Sequence, residues 1–130
     1  MNILRLDHAA LPVKDVERSR QFYCYVLGMD EIPGLVAIWL AKGSAQIHLL
    51  GESQEGRAAE ASGTYHHDDL ADGHTPHLAF EVDDLEEAQR HLKEQHVGIV
   101  CGPRPRGSEA EQLYICDPDG YVIELFAWKK

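Results

Sequence analysis

The alternation of apolar and polar residues changes its period several times along the chain, and each change predicts a new element. Leu4 to Val13 carries apolar residues with strand-like regularity. Val16 to Leu27 carries them at helical spacing, behind Asp15, a residue type that caps helices. Gly28 follows at the position where helices commonly end in the left-handed conformation. The sequence therefore begins with a strand and a capped helix.

Short apolar runs predict the strands that follow this helix. The three predicted strands are Met29 to Ile32, Val36 to Ala41 and Ala45 to Leu50. The turn residues KGS between the last two predict a hairpin. The stretch from Gly51 to Gly73 is polar, rich in small residues and without periodicity, which predicts a long loop. His66 and His67 lie in it beside two aspartates, a cluster typical of a solvated loop.

The same order of elements returns after the loop. A strand from Pro76 to Val82 is followed by an N-cap at Asp83 or Asp84 and a helix from Leu85 to about His96. The rest of the chain predicts a short strand, a turn region rich in proline and arginine, and two longer strands: Ile99 to Cys101, Gly102 to Gly107, Gln112 to Cys116 and Tyr121 to Trp128.

Placing His8 over His77 shows that the chain contains an internal repeat. Four further pairs are then identical: Ala10 with Ala79, Val13 with Val82, Asp15 with Asp84 and Glu17 with Glu86. QIHLL at 46–50 falls on VIELF at 122–126. We expect one domain over 1–130, with repeat 1 at 1–50, a loop at 51–73 and repeat 2 at 74–130. The predicted fold is α+β, with two βαβββ repeats that form a half-open eight-stranded barrel.

Charge and leader signals exclude several partners. The formal net charge is −10, from 22 acidic and 12 basic residues, so nucleic acid and anionic membrane surfaces would repel the chain. The N-terminus lacks the pattern of a signal peptide, and apolar runs are too short to span a bilayer, so we expect a cytoplasmic protein. Three widely spaced cysteines indicate neither a disulfide framework nor a thiolate zinc site, and Cys24 and Cys116 are typical of small core residues.

The repeat brings four candidate metal ligands to equivalent positions. His8 and His77 lie on the first strand of each half, and His48 and Glu124 on the last. Imidazole and carboxylate suit iron, manganese, nickel, cobalt or zinc, and an unpaired carboxylate inside the apolar run YVIELFAW would be costly to bury. The alternative is that all four are strand residues facing solvent. Three other histidines have no such pattern and are expected at the surface: His74, His91 and His96.

Three segments of this chain resemble the vicinal oxygen chelate superfamily. They are LDHAALPVKDVERSRQFYCYVLGM, HTPHLAFEVDDLEEA and LYICDPDGYVIELF, which together cover nearly the whole chain except Gly51 to Gly73. The superfamily includes glyoxalase I, methylmalonyl-CoA epimerase, extradiol dioxygenases, fosfomycin-resistance thiol transferases and bleomycin-binding proteins. The resemblance implies that His8, His77 and Glu124 are metal ligands. It also implies that the metal's open sites chelate two adjacent substrate oxygens, and that the protein is a homodimer.

Several reactions stay open within this resemblance. The preferred one is a glyoxalase-like lyase or isomerase acting on a small substrate, with Glu124 or His48 as base, although glyoxalase I usually has a carboxylate at the position of His48. An extradiol-type ring-cleaving dioxygenase is the first alternative, with His48 and Tyr114 assisting proton transfer and substrate binding. Tyr114 at this spacing also occurs in thiol transferases, which are a further alternative together with metal-free binding proteins. Arg104 and Arg106 either meet an acidic cosubstrate or face solvent.

Overall fold

The structure, a computed structural model, describes residues 1–34, 37–63 and 75–130. The chain forms two compact units, Met1–Ala58 and Ala59–Lys130. Leu35, Val36 and residues 64–74 lie outside the described part, so the predicted strand start at Val36 and the surface positions of three histidines stay predictions: His66, His67 and His74. The expectation of one domain over the whole chain also stays a prediction.

The first unit is one four-stranded sheet with a helix. Strand β1 (Ala9–Val13) leads into helix α1 (Val16–Gln21), which continues as a π-helical segment, Phe22–Val26. Three strands follow: β2 (Asp30–Ile32), β3 (Ile38–Lys42) and β4 (Ala45–Gly51). The strand order is β1-β4-β3-β2, with β1 parallel to β4 and the other neighbours antiparallel. The predicted hairpin between β3 and β4 is confirmed.

The second unit has the same topology. Helix α2 (Arg57–Ser62) begins where the first unit ends, and β5 (His77–Glu81) and helix α3 (Leu85–Glu94) follow. The remaining strands are β6 (Cys101–Arg106), β7 (Ala110–Cys116) and β8 (Val122–Trp128). The strand order β5-β8-β7-β6 repeats the order of the first sheet, including the parallel pairing of first and last strands. The predicted α+β fold of two βαβββ repeats is confirmed.

Both predicted helix caps are present. Asp15 and Asp84 have extended backbones, and the side chain of each accepts a hydrogen bond from the backbone N–H three residues later, that of Arg18 or Glu87, at 3.0 Å. Each cap satisfies one of the N–H groups that a helix leaves unpaired at its first turn. Local sequence therefore fixes where α1 and α3 begin.

Alternate residues along the strands point their apolar side chains into the core of each unit. In the first sheet Val13, Leu40 and Ile47 are buried, and in the second Leu113 and Ile123 are fully buried. These side chains lie on one face of each strand, since successive residues point to opposite faces. The opposite face of each sheet is therefore the one that carries polar side chains.

Three sequence predictions are wrong in detail. Strand β1 begins at Ala9 rather than Leu4, and Leu4 and Leu6 are exposed. The stretch from Gly51 to Gly73 contains helix α2, whose sequence RAAEAS is rich in alanine, the best helix former. The helix predicted as Val16 to Leu27 changes to π-helical geometry at Phe22.

No described helix is long and apolar enough to cross a membrane.

The fourth difference concerns Gly102 to Gly107, where a turn region was predicted. The structure has strand β6 there, Cys101–Arg106, at the edge of the second sheet. Proline is tolerated on edge strands because the missing N–H would face away from the sheet. The pairing with β7 is irregular between Cys101 and Arg104, where Gly102 has a φ of 91°. Glycine and proline are typical both of turns and of bulged edge strands, so the residue types alone did not distinguish the two.

Candidate functional site

The pairing of residues on neighbouring strands places two of the candidate ligands at equivalent positions in the two sheets. In the first sheet Ala10 pairs with His48, and His48 pairs with Trp39. In the second sheet Ala79 pairs with Glu124, and Glu124 pairs with Tyr114. The repeat found in the sequence is therefore a repeat of strand register, and His48 and Glu124 occupy the same place in their sheets.

His8 and His48 form an imidazole pair in the first unit. Their rings stack with centroids 3.7 Å apart and planes 15° apart, and the ring of Trp39 also packs on His48. His48 is buried, and its Nε2 atom has no hydrogen-bond partner among the described residues. Burial lowers the pKa of His48, and the nearby imidazole of His8 lowers it further. The buried Nε2 atom is a potential ligand that the protein itself leaves unsatisfied.

His77 and Glu124 form the corresponding pair in the second unit. Glu124 is 4% exposed. Its Oε2 atom lies 3.2 Å from His77 Nε2, and its Oε1 atom lies 3.3 Å from Arg106 Nε. The Oε1 contact is close enough for an ion pair but not aligned as a hydrogen bond, so this buried oxygen has no hydrogen-bond partner among the described residues. A buried carboxylate attracts a cation, and the guanidinium of Arg106 supplies a positive charge beside this one.

The Nδ1 atoms of His8 and His77 are held by acceptors, although His8 lies one residue before strand β1 and not on it as predicted. His77 Nδ1 lies 2.8 Å from the backbone oxygen of Thr75, and His8 Nδ1 lies 2.9 Å from Asp7 Oδ2. A carbonyl oxygen and an ionised carboxylate only accept, so Nδ1 of each ring donates and the neutral ring carries its lone pair on Nε2. Metal-binding histidines commonly have this arrangement. The bond from His8 also lowers the pKa of Asp7.

The donor set fits a divalent metal ion. His77 Nε2 and Glu124 Oε2 lie 3.2 Å apart, and either a proton shared between them or a metal ion bound to both would satisfy the two atoms. The equivalent pair in the first unit offers imidazole nitrogens. Among the residues that the structure describes, no three His, Cys, Asp or Glu side chains gather in a group able to hold a metal ion. The structure thus shows two pairs of candidate ligands, one in each unit.

Tyr114 and two arginines lie beside the second pair. The ring of Tyr114 meets the ring of His77 edge-on, with centroids 5.3 Å apart. The guanidinium of Arg104 lies 5.5 Å from the centre of the Tyr114 ring, and that of Arg106 lies 3.9 Å from the centre of the Phe126 ring. The structure therefore places both arginines on a strand and not in a loop, against the strands that carry Tyr114 and Glu124. Arg106 faces solvent in part, as one alternative predicted, and also pairs with Glu124.

The sequence analysis missed several residues of these clusters, among them Trp39 and Thr75. Trp39 was missed, although aligning AIWLA of the first repeat with QLYIC of the second would have shown that Trp39 is the equivalent of Tyr114. Thr75 was missed because its backbone oxygen, rather than its side chain, orients His77. A backbone acceptor leaves no signal in residue identity.

Comparison with known proteins identifies the family. The family described as Glyoxalase/Bleomycin resistance protein/Dioxygenase superfamily matches residues 5–125. The chain belongs to this superfamily. The resemblance to vicinal oxygen chelate proteins is therefore confirmed over almost the entire length of the chain.

Two relatives with different names have the same sequence identity to this chain. It is 33% identical over 129 residues to metallothiol transferase FosB of Staphylococcus epidermidis, covering 96% of this chain and 82% of that protein. It is also 33% identical over 132 residues to lactoylglutathione lyase of Neisseria meningitidis, covering 97% and 92%. The solved structure of an integron cassette protein from the mobile metagenome of V. cholerae matches with a TM-score of 0.73 at 29% identity, covering 99% of this chain and 98% of that one.

Proposed function

We propose that this protein is an enzyme of the superfamily that depends on a divalent metal and acts on a small substrate with two adjacent oxygens. The observation that carries the proposal is the state of the four predicted ligands. His8, which directly precedes β1, and His77, the first residue of β5, have Nδ1 engaged by acceptors. His48 and Glu124, on the last strand of each sheet, each keep a buried atom without a hydrogen-bond partner among the described residues. These four side chains are the proposed ligands of nickel, cobalt, zinc, manganese or iron(II).

A bound divalent ion would supply a Lewis acid that stabilises negative charge developing on a substrate oxygen. The protein's own contribution is orientation and proton transfer. The backbone oxygen of Thr75 fixes the ring of His77, and burial of Glu124 keeps water away from its carboxylate. Glu124 or His48 would be the base that accepts a proton from carbon next to a substrate carbonyl, through an atom that does not bind the metal at that step. Tyr114, on the strand beside Glu124, would contact the substrate.

The preferred reaction is a lyase or isomerase step of the glyoxalase kind. Its support is the similarity to lactoylglutathione lyase over nearly all of both chains. Thiol transfer is the second candidate, because the similarity to FosB is equal in identity. We do not favour the extradiol-dioxygenase and metal-free binding alternatives, since the relatives at one-third identity are named as a lyase and a thiol transferase.

Metal binding is the first test of this proposal. The metal-free protein should bind about one Co²⁺ or Zn²⁺ per chain, measured by isothermal titration calorimetry and elemental analysis. His77→Ala and Glu124→Gln should each weaken binding by a factor on the order of 100, because each removes a ligand. Glu81→Gln is the control, since Glu81 is exposed on strand β5 of the same sheet. Unchanged binding in both ligand variants would refute the metal site.

Parallel activity assays separate the candidate reactions. The protein loaded anaerobically with nickel, cobalt or zinc should isomerise a hemithioacetal of a small thiol, and the same samples should be assayed for thiol addition to an epoxide. Oxygen uptake with catechols and iron(II) tests the dioxygenase. Activity in the oxygen assay alone would overturn the lyase proposal, and activity in the epoxide assay alone would replace it with thiol transfer.

A further inference from the structure

Arg106 and Glu124 form an ion pair between an exposed side chain and a buried one. Arg106 lies on edge strand β6, and 40% of its side chain is exposed, whereas the side chain of Glu124 is 6% exposed. In this arrangement the guanidinium is the positive charge closest to Oε1 of the buried carboxylate, at 3.3 Å. A metal ion on Glu124 would therefore bind a carboxylate whose charge the guanidinium already balances.

A divalent ion on Glu124 would change this contact. The metal would neutralise the carboxylate and repel the guanidinium, since like charges a few ångströms apart raise the energy of a partly buried site. Arg106 has a second contact, because its guanidinium lies 3.9 Å from the centre of the Phe126 ring. Stacking on an aromatic ring holds an arginine in place without using its hydrogen-bond donors. The released guanidinium would thus stay beside the site with its N–H groups available.

A second arginine lies on the same face of strand β6. Arg104 and Arg106 are two residues apart and pair with Gln112 and Ala110 of β7, so their side chains point the same way. The guanidinium of Arg104 lies against the ring of Tyr114, which is the cross-strand neighbour of Glu124. Two guanidinium groups on one face, each seated on an aromatic ring, form a pair suited to an oxyanion.

We propose that Arg106 exchanges partners: it pairs with Glu124 in the metal-free protein, and with an oxyanion group of the substrate once a metal ion has taken the carboxylate. This inference rests on the proposed function and adds a substrate class, namely molecules that carry a carboxylate, phosphonate or similar oxyanion beside the chelating oxygens. Reciprocity follows, because a metal ion that frees Arg106 for an anion must itself bind more tightly when that anion is present.

The test measures Co²⁺ affinity by calorimetry in chloride and in sulfate buffers of equal ionic strength, with sulfate as the oxyanion probe. In the wild type, sulfate should tighten Co²⁺ binding by a factor of about 5. Arg106→Gln should bind Co²⁺ about 3 to 10 times more tightly than wild type in chloride, because the competing charge is gone, and should lose the sulfate effect. Arg106→Lys, which keeps the charge without the planar guanidinium, should bind Co²⁺ like wild type in chloride and respond weakly to sulfate.

Arg90→Gln is the matched control, since it removes the same charge from an exposed position on helix α3. It should reproduce the wild-type affinity in both buffers. A sulfate effect that persists in Arg106→Gln, or weaker Co²⁺ binding by that variant in chloride, would overturn the exchange while leaving the proposed metal site intact. Failure of the wild type to bind Co²⁺ at all would overturn the proposed function and the exchange together.

Discussion

At the scale of single residues, burial decides between the two interpretations of the candidate ligands. A histidine and a glutamate on strands are compatible with side chains that face solvent at alternate positions. The structure excludes that interpretation for His48 and Glu124, which are 5% and 4% exposed. Buried polar atoms normally have hydrogen-bond partners, so an imidazole nitrogen and a carboxylate oxygen at equivalent positions that have none within the described part of the chain require an explanation. A metal ion at these positions supplies one.

His48 is the ligand whose role most affects the chemistry. We expect His48→Gln to retain the metal, since an amide oxygen can coordinate, and His48→Ala to weaken binding at least 10-fold. Calorimetric titration with Zn²⁺ measures both, and His91→Gln on helix α3 serves as the control. If metal content is instead unchanged in both His48 variants and turnover falls by a factor on the order of 100, His48 transfers a proton and is not a ligand.

At the scale of elements, the bulge in strand β6 is the feature that positions the two arginines. The register shifts between Cys101 and Arg104, and Gly102 lies in the bulge with a positive φ. A Cβ atom at Gly102 would lie 2.7 Å from the backbone oxygen of Gln112. Bulges redirect side chains and are frequent beside active sites. The conformation of β6 therefore depends on a residue without a side chain.

Gly102→Ala tests this dependence. We expect it to lower the free energy of unfolding by at least about 2 kcal/mol, because it combines a left-handed backbone with overlap against the backbone of β7. Gly107→Ala is the control, since φ is also positive there but nothing lies within 4 Å of the added atom, and it should cost about 1 kcal/mol. Urea denaturation measures both, and equal losses would show that the contact with Gln112 is relieved.

The N-cap of helix α3 gives a prediction that depends on pH. The hydrogen bond from the backbone N–H of Glu87 lowers the pKa of Asp84. A carboxyl with a lower pKa in the folded state stabilises the protein above the pKa of the unfolded chain, and this contribution disappears as the pH falls through the folded-state value. Asp84→Ala should therefore lower the melting temperature at pH 7, by an amount that shrinks below about pH 4.

Asp83→Ala is the matched control for the cap, because Asp83 is the exposed neighbour and the backbone bond goes to Asp84. Thermal unfolding followed by circular dichroism at several pH values would compare the two variants. A penalty for Asp84→Ala that is the same at pH 7 and at pH 3 would show that the ionised carboxylate contributes nothing to the cap.

At the scale of the whole molecule, duplication leaves surfaces that a second chain can cover. Each sheet ends in strands with one unpaired edge, and several large apolar side chains near the N-terminus are exposed, namely Ile3, Leu4 and Leu6. Exposed apolar groups and open strand edges favour association. We expect a homodimer, and light scattering coupled to gel filtration over a range of concentrations should give twice the mass of the chain. A monomer at every concentration would contradict this prediction.

The sequence by itself determined the repeat, the fold class, the helix starts and the residue types of the candidate site. These features depend on short-range rules: the period of apolar residues, the capping of a helix by the residue before it, and the recurrence of the same pattern 69 residues later, as from His8 to His77. Glu124 was informative for a related reason, because a carboxylate inside an apolar run is unusual enough to indicate a role.

Only the tertiary structure decided the features that depend on neighbouring strands. Whether GPRPR is a turn or an edge strand depends on β7, which pairs with it across the sheet and not along the chain. The contact of Arg106 with Glu124 and the orientation of His77 by Thr75 likewise join residues that the register brings together. Such contacts depend on distances and angles in three dimensions, which the order of residue types does not specify.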